Sequence, residues 1–295
     1  MFLSFLALSA PFPAYAKEPI TPIDAPLFDA KQTDLGRLLF HDPRLSRDGS
    51  RSCSSCHDTR LNGASRNRFD QALDGQPLEL NTPTVFNAAL NYRLNWEGGA
   101  TTLQEQARAS LLNPKIMGAD MKTLIETLDS DDTVRRLADV AYGRPLDEDV
   151  LLDAIAAYET SLVLPNSRFD RWLAGDETAL TAVEKEGYVR FKEIGCAACH
   201  QGRNVGGNLF QRHGIFHPLA SPKPERLRVP SLRTVADTPP YFHDGSAETL
   251  GKAIQAMGRS QLDVDLDRDD VERIEAFLLS LKGNLPGETI GARAP

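Results

Sequence analysis

Apolar positions fall at helical spacing along most of this chain. Leu35, Leu38 and Leu39 predict a helix over 33–40, stopped by His41-Asp42-Pro43. Segments 101–112 and 122–128 are further helix candidates, and 147–162 is a stronger one. There Val150, Leu151, Ile155, Tyr158 and Leu162 form a stripe of helical period, and Asp147 and Glu148 suit a helix N-terminus. Helices follow at 178–193, 247–257 and 269–281. In the last, Val271, Ile274, Phe277, Leu278 and Leu281 are the face to be buried. The stretches between are polar or rich in Gly and Pro: 62–81 reads as loop, and 202–230 as irregular. No run stands out as a strand, so the fold class is mainly α.

Composition narrows the class. At 295 residues the chain can hold two domains, and 41% hydrophobic with 25% charged residues is ordinary for a soluble protein. The net charge of −8 argues against nucleic acid as a partner and is compatible with a basic protein partner. At the N-terminus, 2–8 is a short apolar run and Ala14-Tyr15-Ala16 resembles a signal-peptidase site. Residues 1–16 are therefore read as a secretory signal, although its usual positive start is missing. The apolar run is too short to span a bilayer and no other stretch comes near, so no membrane span is expected.

The chemistry sits in two five-residue stretches, Cys53-Ser54-Ser55-Cys56-His57 and Cys196-Ala197-Ala198-Cys199-His200. Each is C-x-x-C-H, the attachment signature of a c-type haem. Positions i, i+3 and i+4 of a helical turn share one face, so two thiols can meet two vinyl groups while the histidine reaches the iron. Together the motifs use all four cysteines of the chain. A structural zinc site would not explain the adjoining histidine, and a disulfide oxidoreductase has no need of two copies. Export fits two haem c groups, since this haem is attached outside the cytoplasm in bacteria. A partial repeat accompanies the motifs. Gly36 with Phe40 precedes the first, and Gly187 with Phe191 precedes the second. A glycine lets one helix cross another closely, and the aromatic ring four residues on can pack beside the haem. We therefore expect two cytochrome c-like helical domains with one haem each: 17–165 and 166–284, joined near Pro165 and followed by a tail, 285–295.

Beyond these motifs the chain resembles the bacterial diheme cytochrome c peroxidase family, which includes the protein-oxidising MauG. The resemblance rests on 35–46 (LGRLLFHDPRLS), 81–88 (NTPTVFNA), 95–100 (NWEGGA), 168–173 (RFDRWL), 229–233 (VPSLR) and 240–245 (PYFHDG). It implies a periplasmic enzyme that reduces hydrogen peroxide with electrons from a small cytochrome c or cupredoxin; homodimers are common in the family. It assigns His57 and His200 as proximal ligands of the two irons, and Met257 as the second ligand of the iron above His200. Trp96 becomes the relay between the haems. Gln106 becomes a residue of the open pocket at the first haem. A calcium ion between the domains would be held by Asn81 and by the carbonyls of Thr238 and Pro240. His243 is read as a propionate or structural partner, and Trp172, Met117 and Met121 as packing.

Two departures from the family pattern matter. The histidines are 41, 57, 200, 213, 217 and 243. None lies between His57 and His200, so the loop histidine that closes the resting first haem is absent. The first iron is then open as made, a feature shared with MauG. Ile116 stands where the family has an acidic residue for moving the peroxide proton, and isoleucine cannot do this. Glu105 and Asp70 are the candidate replacements. Two alternatives to the peroxidase stay open: a MauG-like oxidase that modifies a protein side chain, and a non-catalytic diheme carrier or peroxide sensor.

Overall fold

The computed structural model describes residues 18–284, so the expected signal (1–16) and tail (285–295) lie outside it. Nine helices are found among the described residues, with one short antiparallel ribbon. The helices are α1 (Ala30–Phe40), α2 (Leu103–Leu112), α3 (Met121–Asp129), α4 (Asp132–Tyr142) and α5 (Glu148–Ser161). Then come α6 (Arg168–Leu173), α7 (Ala182–Ile194), α8 (Leu250–Leu262) and α9 (Arg268–Leu279). None is long and apolar enough to cross a membrane.

Each helix of eight or more residues begins on an Asp or Thr whose side chain accepts a backbone N–H of the first turn. At α7, Thr181 and Glu184 form a reciprocal capping box. Sequence patterning missed two helices. In α4 only Val134 and Ala138 are fully buried, which makes a thin stripe. α6 is a single capped segment of six residues. The segment expected to be wholly irregular contains the ribbon, β1 (Phe210–Arg212) paired with β2 (Arg226–Arg228), Gln211 opposite Leu227.

Two separate apolar clusters form. The first draws on residues from Leu35 to Leu164, with α1 crossing α5 at its centre. The second draws on Phe169 to Leu281, with α7 crossing α9. The residues before α1 pack on the second cluster. Ile20 is buried in it, Glu18 accepts from Tyr188 and Lys192, and the carbonyl of Thr21 accepts from Arg233.

The two crossings are alike. A Cβ on Gly36 would lie 2.6 Å from the carbonyl carbon of Ala154 and 2.9 Å from Cβ of Tyr158. On Gly187 it would lie 2.6 Å from the carbonyl carbon of Arg273 and 3.0 Å from Cβ of Phe277. Both glycines are thus required by backbone approach, and Phe40 and Phe191 are buried one turn further on.

Candidate functional site

Both C-x-x-C-H motifs fold as the same single turn. The backbone N–H groups of Cys56 and His57 donate to the carbonyl of Cys53, at 3.2 and 2.9 Å; those of Cys199 and His200 donate to Cys196, at 3.2 and 3.0 Å. Two thiols and an imidazole therefore share one side of each turn. Nδ1 of His57 lies 3.2 Å from the carbonyl of Gly63, and Nδ1 of His200 lies 3.4 Å from that of Val205. With Nδ1 as the donor, each ring keeps its lone pair on Nε2. Burial lowers both imidazoles, His200 to about 4, so both are neutral at neutral pH. None of the four cysteines is paired with another in a disulfide. Burial pushes Cys53 up to about 12, and Cys56 and Cys196 up to about 11. That is the reverse of a thiol-exchange C-x-x-C, whose thiolate is stabilised.

Each turn opens onto a cavity. The first, of about 120 Å³, is lined by Phe40, Cys53, Cys56, His57, Gln106 and Ile116 among others. The second, of about 260 Å³, is lined by Phe191, Cys196, Cys199, His200, Met257 and Trp96 among others. Pro83, Thr84, Asn91 and Arg228 line both, so the cavities share a wall. Arg228 has no carboxylate in salt-bridge reach among the described residues. Its Nη1 donates to Asn91 Oδ1 at 3.1 Å, and its Nε to the carbonyl of Asn95 at 3.3 Å. Burial lowers this guanidinium to about 10. A buried cation without an anion, facing both cavities, is what haem propionates would complete.

The cavity walls repeat in order and spacing. Asn87 and Thr234 both take a left-handed backbone before a short 3₁₀ turn. Leu94 bridges Ala100 as Tyr241 bridges Ala247. Thr102 caps α2 as Thr249 caps α8. Counting along from these anchors pairs Asn95 with Phe242, Gln106 with Ala253 and Ser110 with Met257. The Gly36 and Gly187 crossings likewise pair Glu159 on α5 with Leu278 on α9. All eight line their respective cavities. At four equivalent places the first cavity is polar where the second is apolar. Gln106 joins two of the others, its Nε2 donating to Ser110 Oγ at 3.0 Å and lying 3.4 Å from Asn95 Oδ1.

The residues singled out from sequence fall as follows. His200 and Met257 line one cavity, and His57, Gln106 and Ile116 the other. Trp96 lines the second cavity next to the shared wall: its Nε1 donates to the carbonyl of Asn81 at 2.8 Å, and its own carbonyl accepts from Arg228. His243 lies edge-on to Trp96, ring centroids 6.2 Å apart, and its Nε2 lies 3.0 Å from the carbonyl of Ser221. His213, given no chemistry from sequence, packs against His243 with ring centroids 4.7 Å apart and planes tilted by 52°, and lines the same cavity. Trp172 packs on Phe169 and Tyr188. Asn81, Thr238 and Pro240 all line the second cavity. Asn81 spends its Nδ2 on the carbonyls of Asn67 and Arg68, which leaves Oδ1 free as an acceptor.

Neither acid offered in place of the family's glutamate serves the first cavity. Glu105 is exposed and accepts from Thr101 at the start of α2. Asp70 is buried but spends its oxygens on Ser65, Asn67 and Thr82, which hold its carboxyl below the usual range despite burial. Sequence reasoning also missed Arg228, Ser110 and Glu159. The signal that finds the latter two is the duplication itself, once the halves are aligned by caps and crossings.

A duplicated helical chain with two such turns, each facing its own cavity across a shared wall, has the organisation of a two-centre redox protein. The model of the di-haem cytochrome c peroxidase family matches residues 30–178. The chain is 38% identical to the cytochrome c551 peroxidase of Nitrosomonas europaea, over 92% of this chain and 86% of that one. It is 30% identical to the methylamine utilization protein MauG of Methylophilus methylotrophus, over 89% and 85%. Among solved structures it is similar to a MauG-like protein associated with microbial copper homeostasis: TM-score 0.77, 26% identity, 94% of this chain and 96% of that one. The chain belongs to the di-haem cytochrome c peroxidase family and is an oxidoreductase of that type.

Proposed function

We propose that this chain is a periplasmic enzyme that reduces hydrogen peroxide to water with electrons from a small cytochrome c or cupredoxin. Two haem c groups are held by thioethers at Cys53 and Cys56, and at Cys196 and Cys199, in two domains, 17–165 and 166–284. His57 and His200 are the proximal ligands. Met257 closes the second iron, and the first is left open; a haem with a free position supplies peroxide chemistry, and one with both filled transfers electrons.

One observation carries the reading: the polar set Asn95, Gln106, Ser110 and Glu159 in the first cavity against Phe242, Ala253, Met257 and Leu278 in the second. A site for a polar, hydrogen-bonding substrate needs the former, and a sealed electron-transfer site the latter. The chain's own residues then divide the work. Gln106 orients the substrate. Arg228 balances propionate charge for both centres. Trp96 stands beside the wall that electrons must cross. Asn81 Oδ1, with the carbonyls of Thr238 and Pro240, offers neutral oxygens suited to calcium.

Absorption and EPR spectra during titration with hydrogen peroxide test the reading. The expected result is one high-spin haem that reacts and one low-spin haem that does not, with turnover on a reduced small cytochrome. Two low-spin centres inert to peroxide would end it. A second reading, a MauG-like oxidase acting on a protein side chain, is favoured by the absence of any histidine between His57 and His200. It predicts peroxide-dependent modification of a partner protein and poor turnover with reduced cytochrome.

A further inference from the structure

The first cavity lacks an acid at Ile116, yet cleaving an O–O bond requires a proton at the departing oxygen. Glu159 is the one acidic side chain among the residues that line this cavity. It is 5% exposed, and its Oε2 has no hydrogen-bond partner among the described residues. It occupies the place that Leu278 fills in the second half, where the same crossing of helices buries a plain apolar side chain. The fold therefore has no packing need for a carboxyl there. An unpaired polar group in a core is destabilising, so this one calls for a chemical reason.

Resting on the peroxidase reading, we propose that Glu159 is the proton donor of the first cavity, taking the part that the acid missing at Ile116 would play. In the step, the O–O bond of hydrogen peroxide breaks and two electrons arrive from the small redox protein through the chain's two centres. The proton of the Glu159 carboxyl passes to the departing oxygen, directly or through one water, and that oxygen leaves as water. Glu159 is left as a carboxylate and regains its proton from solvent. The other oxygen leaves as a second water after a further proton from solvent.

The electrostatics agree with a proton held in reserve. Burial alone raises Glu159 to about 8, so it is protonated at neutral pH. The other titratable groups of the cavity are Arg51, His57, Arg228 and the two thiols that the thioethers consume. No titratable side chain of α2 faces it: Glu105 is bound to Thr101 and Arg108 to Glu148 at the surface.

The test uses the two-haem protein with Glu159→Gln, Glu159→Leu and the double variant Glu159→Gln/Ile116→Glu. The leucine variant copies the second half, so it secures a folded protein. Rapid mixing with hydrogen peroxide is followed at the haem absorption band. Both single variants should slow bond cleavage by ~10²-fold or more at neutral pH, and adding Ile116→Glu should restore it, which a packing role could not. Infrared difference spectra on binding cyanide should show a protonated carboxyl in the wild type that is absent from Glu159→Gln. A Glu159→Leu protein that reacts at the wild-type rate, or an infrared signature of an ionised Glu159, overturns the proposal alone. A wild type that does not react with peroxide overturns the peroxidase reading, and the proposal with it.

Discussion

Replacing Gly36 by alanine should unpack the first half of the molecule. The new Cβ would sit 2.6 Å from the carbonyl carbon of Ala154, closer still to its oxygen, and 2.9 Å from Cβ of Tyr158. Two of those atoms are backbone, so no side chain can swing aside; α1 and α5 must part by roughly an ångström. A gap of 0.5–1 Å forfeits about a quarter to a half of the dispersion energy across it. The residues along that seam, Leu35, Leu39, Phe40 and Tyr158, are all buried. Overpacking of this kind costs about 1–3 kcal/mol, and alanine's helix preference returns at most about 1 kcal/mol. A net loss of about 2 kcal/mol is expected, and Gly187→Ala should act likewise on the second half through Arg273 and Phe277. Gly251→Ala is the control. It too is in a helix, but its nearest neighbour would be 3.5 Å away, so it should be neutral or slightly stabilising. Denaturant titrations of the three variants, followed by far-UV circular dichroism and haem absorbance, give the values. If Gly36→Ala and Gly251→Ala differ by less than about 0.5 kcal/mol, the close-crossing argument is wrong.

Met257→Ala should convert the second haem from low to high spin and lower its potential, read by EPR and redox titration; an unchanged spectrum would remove Met257 as a ligand. Ser110→Met places the second half's side chain in the first cavity, and should yield a low-spin first haem with peroxide reactivity abolished in stopped flow. The stability of the haem-free protein should also carry the mark of Glu159. Its folded value, about 8, lies above the ordinary 4.5, so its share of stability is intact below pH ~4.5 and is lost as pH rises to about 8. The full loss is about 5 kcal/mol. Glu159→Leu should flatten that limb of a denaturation-versus-pH curve, and an identical slope in both proteins would refute it.

The features of this molecule that are local in the chain are legible in its sequence. A haem motif needs its cysteines and histidine on one turn, and a crossing glycine needs its aromatic one turn on. The α1, α5, α7 and α9 stripes are regular enough to read. What escapes is set by tertiary pairing. α4 shows its buried face only through Val134, Leu137 and Ala138, set among charged neighbours, and β1 with β2 is held by its partner strand and by the contact of Arg228 with Trp96. Asp70 and Glu105 look like available acids in sequence, because nothing local shows that three hydroxyl and amide donors or a helix start already occupy them. Glu159 hides for the opposite reason. It continues the otherwise apolar α5 stripe one turn after Ile155, and only the cavity shows which way it faces.

The duplication also supplies a control that a single site lacks. Two cavities built from the same crossings, caps and turns exchange polar for apolar side chains at Asn95/Phe242, Gln106/Ala253, Ser110/Met257 and Glu159/Leu278, and those pairs are where a difference in chemistry is to be sought. Hydrophobicity alone would make both walls like the second, with Phe242, Ala253, Met257 and Leu278. The first departs from that at Asn95, Gln106, Ser110 and Glu159, and leaves Glu159 without a partner in the core. Such a departure lowers stability, so packing alone does not account for these side chains. The shared wall points the same way. Arg228 is buried between the two cavities without a counter-charge among the described residues, and its backbone N–H is fastened to the carbonyl of Trp96. One cation borders both cavities, so a change of charge in either is felt at a side chain that also lines the other.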